Sequence, residues 1–280
     1  MTYRRKHINP KIKGLKAKKI IIKRPIFWIL LAFILFFSAL NFLLFFPGLQ
    51  VLKINISGNE KVQSKDIENM AWDDINTKII AIGGFQISTK SIFIADVKKI
   101  TDDMMNKFPD IESIELQKKM PQDINLVIKE RKAYAALCQL YLQNANEQNN
   151  IDKCFLVDGN GIVFEKLESI PQNTIIITQV PDNNHILIGK NAIPKNEIDM
   201  ISKIQKSLKN NFQIGIKEVS ISNTMIFTTD ENWQIYFDKN SDIDMQIIKM
   251  NVLLKDEIPV NIRKNLQYIY LQYKDRAYYK

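Results

Sequence analysis

Histidine, cysteine, glycine and proline are all scarce in this 280-residue sequence: two His, two Cys, nine Gly and nine Pro. Gly and Pro at that level are too few for a collagen-like or disordered chain. No HExxH and no His/Cys cluster occurs, which removes the usual zinc patterns. Neither GxxxxGK[ST] nor GxGxxG is present, so no phosphate-cradling loop is marked. Asp158-Gly159-Asn160-Gly161 has some flavour of a calcium loop, but it lacks further acids and the Glu twelve positions on. An Asn-Gly pair between apolar runs reads instead as a hairpin turn. The acid pairs Asp73-Asp74 and Asp102-Asp103 are neighbours in sequence only, and adjacent side chains on a helix point apart. They read as solvated surface, and Glu130-Arg131 as an ion pair at a strand end. A cysteine nucleophile would need a base, and the sequence offers only His7 and His185. The expectation is a non-enzyme with no cofactor and no metal.

Acid is absent from residues 1–24, which hold ten Lys and Arg. The net charge of +9 therefore resides in that tail, and the remainder sums to −1. Charge of either sign is absent from the next stretch, Ile26–Phe46, whose only polar residues are Ser38 and Asn41. As a helix its 21 residues reach about 31 Å, the thickness of a bilayer's hydrocarbon core. A core helix of a soluble protein keeps charge on some face. A cleaved signal peptide has a shorter apolar run, about 7–15 residues, followed by small residues; here the run ends in Phe45-Phe46-Pro47. The stretch reads as a retained single-pass anchor. Basic residues beside such a helix stay cytoplasmic, which puts the N-terminus inside and the rest outside. The tail also suits anionic lipid. It interleaves no aromatic residue beyond Tyr3, so nucleic acid is not expected.

Some 230 residues follow, roughly enough for two modest domains. Leu49–Ile56 alternates, with Leu52, Ile54 and Ile56 on one side, and reads as a half-buried strand. Ser57-Gly58-Asn59 is a turn, and Ser64 can cap a short helix with Asp66 and Glu68 in its first turn. Gly83-Gly84 marks a loop. A second helix over 95–108 places Val97, Ile100, Met104 and Phe108 on one face, and Pro109 ends it. Strands at Glu112–Lys119 and Asp123–Arg131 complete a compact α+β unit. Strands at Ala133–Leu140 and Cys154–Phe164 flank the polar loop Gln143–Asp152. Folded about Asn146, they set Cys138 opposite Cys154, either as a disulfide in an oxidising compartment or as two small buried thiols. Farther on, Ile170–Val180 reads as a strand, Pro181–Asn184 as a turn and Pro194–Phe212 as an amphipathic helix. Strands follow at Ile216–Ser222, Met225–Thr229 and Trp233–Asp238. Ser241-Asp242-Ile243-Asp244 reads as a capping box opening a helix, and Leu266–Lys274 as a last strand.

A family resemblance rests on the order and spacing of these runs. Val51-x-x-Ile54-x-Ile56-x-Gly58-Asn59 opens the first unit. Phe108-Pro109-Asp110-Ile111-x-x-Ile114, Met120-Pro121 and Lys129-Glu130-Arg131-Lys132-Ala133-Tyr134-Ala135 close it. Together they resemble the POTRA domain of the FtsQ/DivIB family of bacterial cell-division proteins. The likeness continues through Phe155–Phe164 and the aromatic-basic run Tyr268–Lys280, and the basic tail and anchor sit where the family has them. At Tyr270 and Gln272, where the family usually has Asp and Arg, the chain departs. Its loop Trp72–Thr89 is longer than the family leads one to expect.

The resemblance implies a bitopic scaffold at the division site of the plasma membrane. Residues 1–24 would be the cytoplasmic tail, 25–47 the anchor, 49–131 a POTRA domain and 132–280 a mainly antiparallel β domain with helices on one face. The implied partners are membrane division proteins of the FtsB/DivIC and FtsL type, besides lipid. The expected site is the final strand, taken as a sheet edge open to a partner's strand. Its residues are Tyr268, Tyr270, Gln272, Tyr273, Lys274, Asp275, Arg276 and Tyr278, with Tyr279 beside them. Ile269, Leu271 and Tyr273 should face the core, and Tyr273 sits where the family has an important aromatic. A POTRA-like module of a secretion or transport complex is the alternative, a cell-envelope enzyme a more distant one; fold alone does not choose.

Overall fold

The computed structural model describes residues 24–82, 84–141, 150–179 and 186–280. The basic tail before Arg24, the Pro181–Asn184 turn and most of the loop between the cysteines, with Asn146, lie outside them. Helix α1 (Arg24–Phe45) holds an apolar window long enough to cross a membrane, and no part of that window is buried by the rest of the chain. A 3₁₀ turn, Pro47–Leu49, ends it.

The first core is built on β1 (Lys53–Ser57), α2 (Ser64–Ile75), β2 (Thr77–Ile82), β3 (Phe85–Thr89), α3 (Val97–Lys107), β4 (Ile111–Lys119) and β5 (Asp123–Glu130). β5 is central, parallel to β1 and antiparallel to β4. Period-two alternation along β5 turns Ile124, Leu126 and Ile128 to one side, where they pack with Ile54, Ile67, Ile100 and Met104. The first strand begins later than its alternation suggested. Val51 is buried and Leu52 is exposed, because the chain first bonds Lys90 through Val51 N–H and only then turns to Gln122 through Leu52 N–H. Ser64 is not a cap: α2 starts after Gln63 with no side-chain cap. Asn59 fastens that start instead, donating to the Val62 carbonyl and to Ser64 Oγ. Within Trp72–Thr89 the expected loop is a hairpin, β2 antiparallel to β3; Ile79-Ile80-Ala81-Ile82 has no alternation to betray it. Lys99 meets Asp103 at the surface and also Asp74, whose side chain is mostly buried, so the solvated reading does not hold for Asp74.

The second core is built on β6 (Ala133–Tyr141), β7 (Asn150–Asp158), β8 (Val163–Leu167), β9 (Ile175–Gln179), α4 (Lys195–Phe212), β10 (Ile216–Ile221), β11 (Thr224–Thr229), β12 (Gln234–Asp238), α5 (Ile243–Val252), α6 (Val260–Arg263), β13 (Tyr268–Tyr270) and β14 (Tyr278–Tyr279). A π-helical turn, Leu253–Glu257, extends α5. The strands form one mixed sheet in the order β14-β13-β12-β11-β10-β9-β6-β7-β8, most neighbours antiparallel. Ile198, Ile201 and Leu208 of α4 pack on inward residues such as Leu137, Ile177, Val219 and Phe227. The fold class is therefore α+β, as expected.

Cys138 pairs with Cys154 across β6 and β7, and the two form a disulfide with Cα atoms 4.2 Å apart. The stretch read as a strand over Cys154–Phe164 is divided into β7 and β8, and the turn between them falls at Asn160-Gly161, as the hairpin reading of that pair expected. The turn between them is held by Asp158 Oδ1, which accepts the Asn160 and Ile162 N–H groups. Asp242, not Ser241, caps α5, accepting from the Asp244 and Met245 N–H groups. Glu130 and Arg131 do not pair with each other. Glu130 accepts three successive N–H groups, of Glu60, Lys61 and Val62. Arg131 reaches across to Asp158 at 2.5 Å, both side chains nearly buried. Glu130 is the last residue of β5 and Arg131 the first beyond it, where the chain leaves for the second core, which separates the two.

Candidate partner-binding site

The sheet ends on the run expected to carry the site, but the run is not one strand. β13 keeps only three residues, parallel to β12 with Ile235 beside Ile269 and Tyr236 beside Tyr270. The ladder stops at Leu271, whose N–H donates to the Tyr236 carbonyl. Past it a lysine takes the acceptors that a neighbouring strand would use: Lys249 Nζ on α5 donates to the carbonyls of Leu271 (3.0 Å) and Tyr273 (2.5 Å). The chain turns away there, and Gln272 Nε2 donates to Thr224 Oγ1. Residues 278–279 then return antiparallel as β14, placing Tyr279 opposite Ile269 and Tyr278 opposite Tyr270. The edge is thus lined by the chain's own β14, and the open strand expected over Leu266–Lys274 is corrected accordingly.

Side chains follow from that path. Ile269 and Leu271 are fully buried, as alternation requires, while Tyr273, at 52 % exposure, is not on the core. It stands edge-on to Tyr278, ring centres 5.4 Å apart. Tyr268 and Tyr270 share the other face with Tyr236. Tyr270 lies 4.2 Å from Tyr236 and 4.7 Å from Tyr268, ring to ring. Burial and then the neighbouring Tyr270 push the Tyr236 phenol above its ordinary value. Lys274, Asp275 and Arg276 are exposed in the loop between the strands.

A groove of about 500 Å³ opens between that loop and α5, with Met245, Lys249, Tyr273 and Asp275 among its walls. Its floor is fixed: the Gln246 side chain is buried and bonds both the N–H and the carbonyl of Asp238, tying α5 to the end of β12. Met245, Ile248 and Val252 of α5 are each more than half exposed. The sequence reading missed them. Their spacing, three and four residues apart, was the available signal, because α5 also buries Ile243 and Met250 and so is apolar on two faces. Exposed apolar surface next to exposed tyrosines is the composition of an interface core. Among the described residues no three His, Cys, Asp or Glu side chains gather so as to hold a metal ion.

No family model matches the chain. It is similar to a curated relative, the cell division protein DivIB of Clostridium acetobutylicum, at 24% identity over 182 residues. The match covers 64% of this chain and 62% of that protein's length.

Proposed function

We propose, from the premise that the chain is a distant relative of the FtsQ/DivIB family, that it is a non-enzymatic single-pass scaffold of the bacterial division machinery. Residues 1–24 form its cytoplasmic tail and 25–47 its anchor. Residues 49–131 form an extracytoplasmic POTRA domain and 132–280 a second, β-rich domain. Two features support the division into domains: the separate apolar cores, and the crossing of the chain between β5 and β6. The charge asymmetry about α1 supports the orientation.

Its partners are membrane division proteins of the FtsB/DivIC and FtsL type, and they bind at the β13–β14 edge. The observation that carries this is the edge itself. A nine-stranded sheet closes on a two-residue strand whose tyrosines are about half exposed, beside a groove walled by Met245 and Tyr273. A strand that short offers a partner's extended segment either an edge to extend or an edge to replace. Tyr268, Tyr270 and Gln272 supply the face, Tyr273 and Tyr278 the aromatic contacts, and Lys274, Asp275 and Arg276 the charges.

The test is pull-down of these partners by two forms of the chain, one lacking residues 275–280 and one carrying Tyr273→Ala with Tyr278→Ala. Both should lose the partner while the disulfide-bonded fold is retained. Undiminished capture by both would move the site to the first domain.

A further inference from the structure

The end of the first core that meets α1 carries apolar side chains that none of the described residues covers. Leu52, Phe93 and Met120 are each more than half exposed. They come from three separate segments, and each segment is tied to the end of α1. Ser91 Oγ donates to the Leu43 carbonyl at 2.7 Å and Thr89 Oγ1 to the Leu44 carbonyl, so the turn that holds Phe93 caps the last turn of the helix. Ile92 N–H donates to Leu49 O. Leu52 N–H donates to Gln122 O, and the Gln122 side chain donates to Pro47 O at 2.9 Å, which brings the Met120 turn to the same place. A helix's last carbonyls have no partner within the helix. Here side chains of the folded part satisfy them, and that fixes its orientation on α1 rather than leaving it on a tether.

Exposed lysines stand in the same segments: Lys53 beside Leu52, Lys119 beside Met120, and Lys90, whose ammonium lies over the Trp72 ring. Asp123, the register partner of both Lys53 and Lys119, is the acid that faces them. The end remains cationic.

We propose that this end is a lipid-contacting face. It rests on the leaflet where α1 emerges, with Leu52, Phe93 and Met120 entering the interfacial region and the lysines meeting anionic headgroups. The occupant follows from continuity. The segments that carry these side chains are bonded to the last turn of α1 and to the 3₁₀ turn that follows it, and lysine stems can lie along an apolar surface with their charge at headgroup level. The inference rests on the reading of α1 as an anchor, and it gives the first core a membrane-set orientation that presents the rest of the chain at a defined angle.

Photo-cross-linking tests it. The full chain is reconstituted in vesicles of phosphatidylcholine and phosphatidylglycerol doped with a diazirine phospholipid, and labelled peptides are mapped by mass spectrometry. Label is expected in α1 and also in segments 49–53, 91–95 and 118–122. In these three it should fall severalfold in the Leu52→Ser, Phe93→Ser, Met120→Ser variant, and severalfold when phosphatidylcholine alone is used. Val260 and Ile262, exposed apolar residues of the second core, provide the background. Label in α1 with only background in the three segments overturns the proposal, and equal label without phosphatidylglycerol overturns its anionic part. An unlabelled α1 would overturn the anchor reading first, so the two failures are distinct.

Discussion

Glu130 shows how much one side chain can organise. Its carboxylate accepts the N–H groups of Glu60, Lys61 and Val62 at 2.9–3.0 Å, closing the turn between β1 and α2. Burial works to raise its pKa, but the three donors and the nearby Lys61 ammonium outweigh it and hold the carboxyl below its ordinary 4.5. Glu130→Ala should therefore cost about 1–2 kcal/mol, read as a lower urea midpoint for the full chain in detergent. The sign with pH follows from the lowered value: the charged form is favoured by folding. The stability advantage over Glu130→Gln is then complete above 4.5 and is lost as pH falls through the folded-state value. An advantage unchanged down to pH 2 would contradict this. The turn residue Gly58 was legible in the sequence. Its φ is +85°, and any Cβ there would run into the Ile128 carbonyl oxygen. Glu130's role was not legible, because its partners are backbone groups 68–70 residues away.

Elements were legible where apolar period and turn chemistry agreed, and illegible where a distant group decides. Alternation gave β5 and its buried Ile124, Leu126 and Ile128, and the 3.6-residue period gave α3 and α4. That Cys138 lies opposite Cys154 was legible from two strands about a polar loop, whereas the choice between a disulfide and two thiols was left open and the structure shows the disulfide. That disulfide spans 16 residues, so the chain-entropy model assigns it about 3 kcal/mol. Unfolding with and without reductant should differ by about that amount, and a Cys138→Ala, Cys154→Ala variant should be insensitive to reductant. On β1, Ile54→Ala should cost about 2–5 kcal/mol, since Ile54 packs in the first core and leaves a cavity when trimmed; a change below about 0.5 kcal/mol would mean it does not. Leu52 was misassigned because the strand's start is set by hydrogen bonds to Lys90 and Gln122, not by pattern. The final strand was overextended because its carbonyls at 271 and 273 are taken by Lys249, on a helix some twenty residues earlier. Of the candidate site, the buried Ile269 and Leu271 and the outward Tyr268 and Tyr270 were legible. The return of Tyr278–Tyr279 and the exposed face of α5 were not, since both depend on where the chain goes after it leaves the sheet.

The whole molecule is an apolar helix capped by one core, which passes the chain to a second. The junction is held by a nearly buried ion pair between Arg131 and Asp158, with the exposed Lys61–Glu165 pair beside it. Exposed pairs contribute little. Arg131 is anchored on the first core by its Nε bond to the Pro109 carbonyl, while Asp158 holds the β7–β8 turn of the second core. The joint therefore reads as a fixed elbow that carries the β13–β14 edge at a set place relative to α1. Under the proposed function, such a layout would hold the candidate edge at a defined distance from the membrane. The central proposal is that the chain works in cell division, and its most direct test is imaging a fluorescent fusion to residues 1–24 in growing cells. The account predicts a band at the constricting mid-cell in dividing cells. A uniform envelope signal that persists through constriction would contradict it.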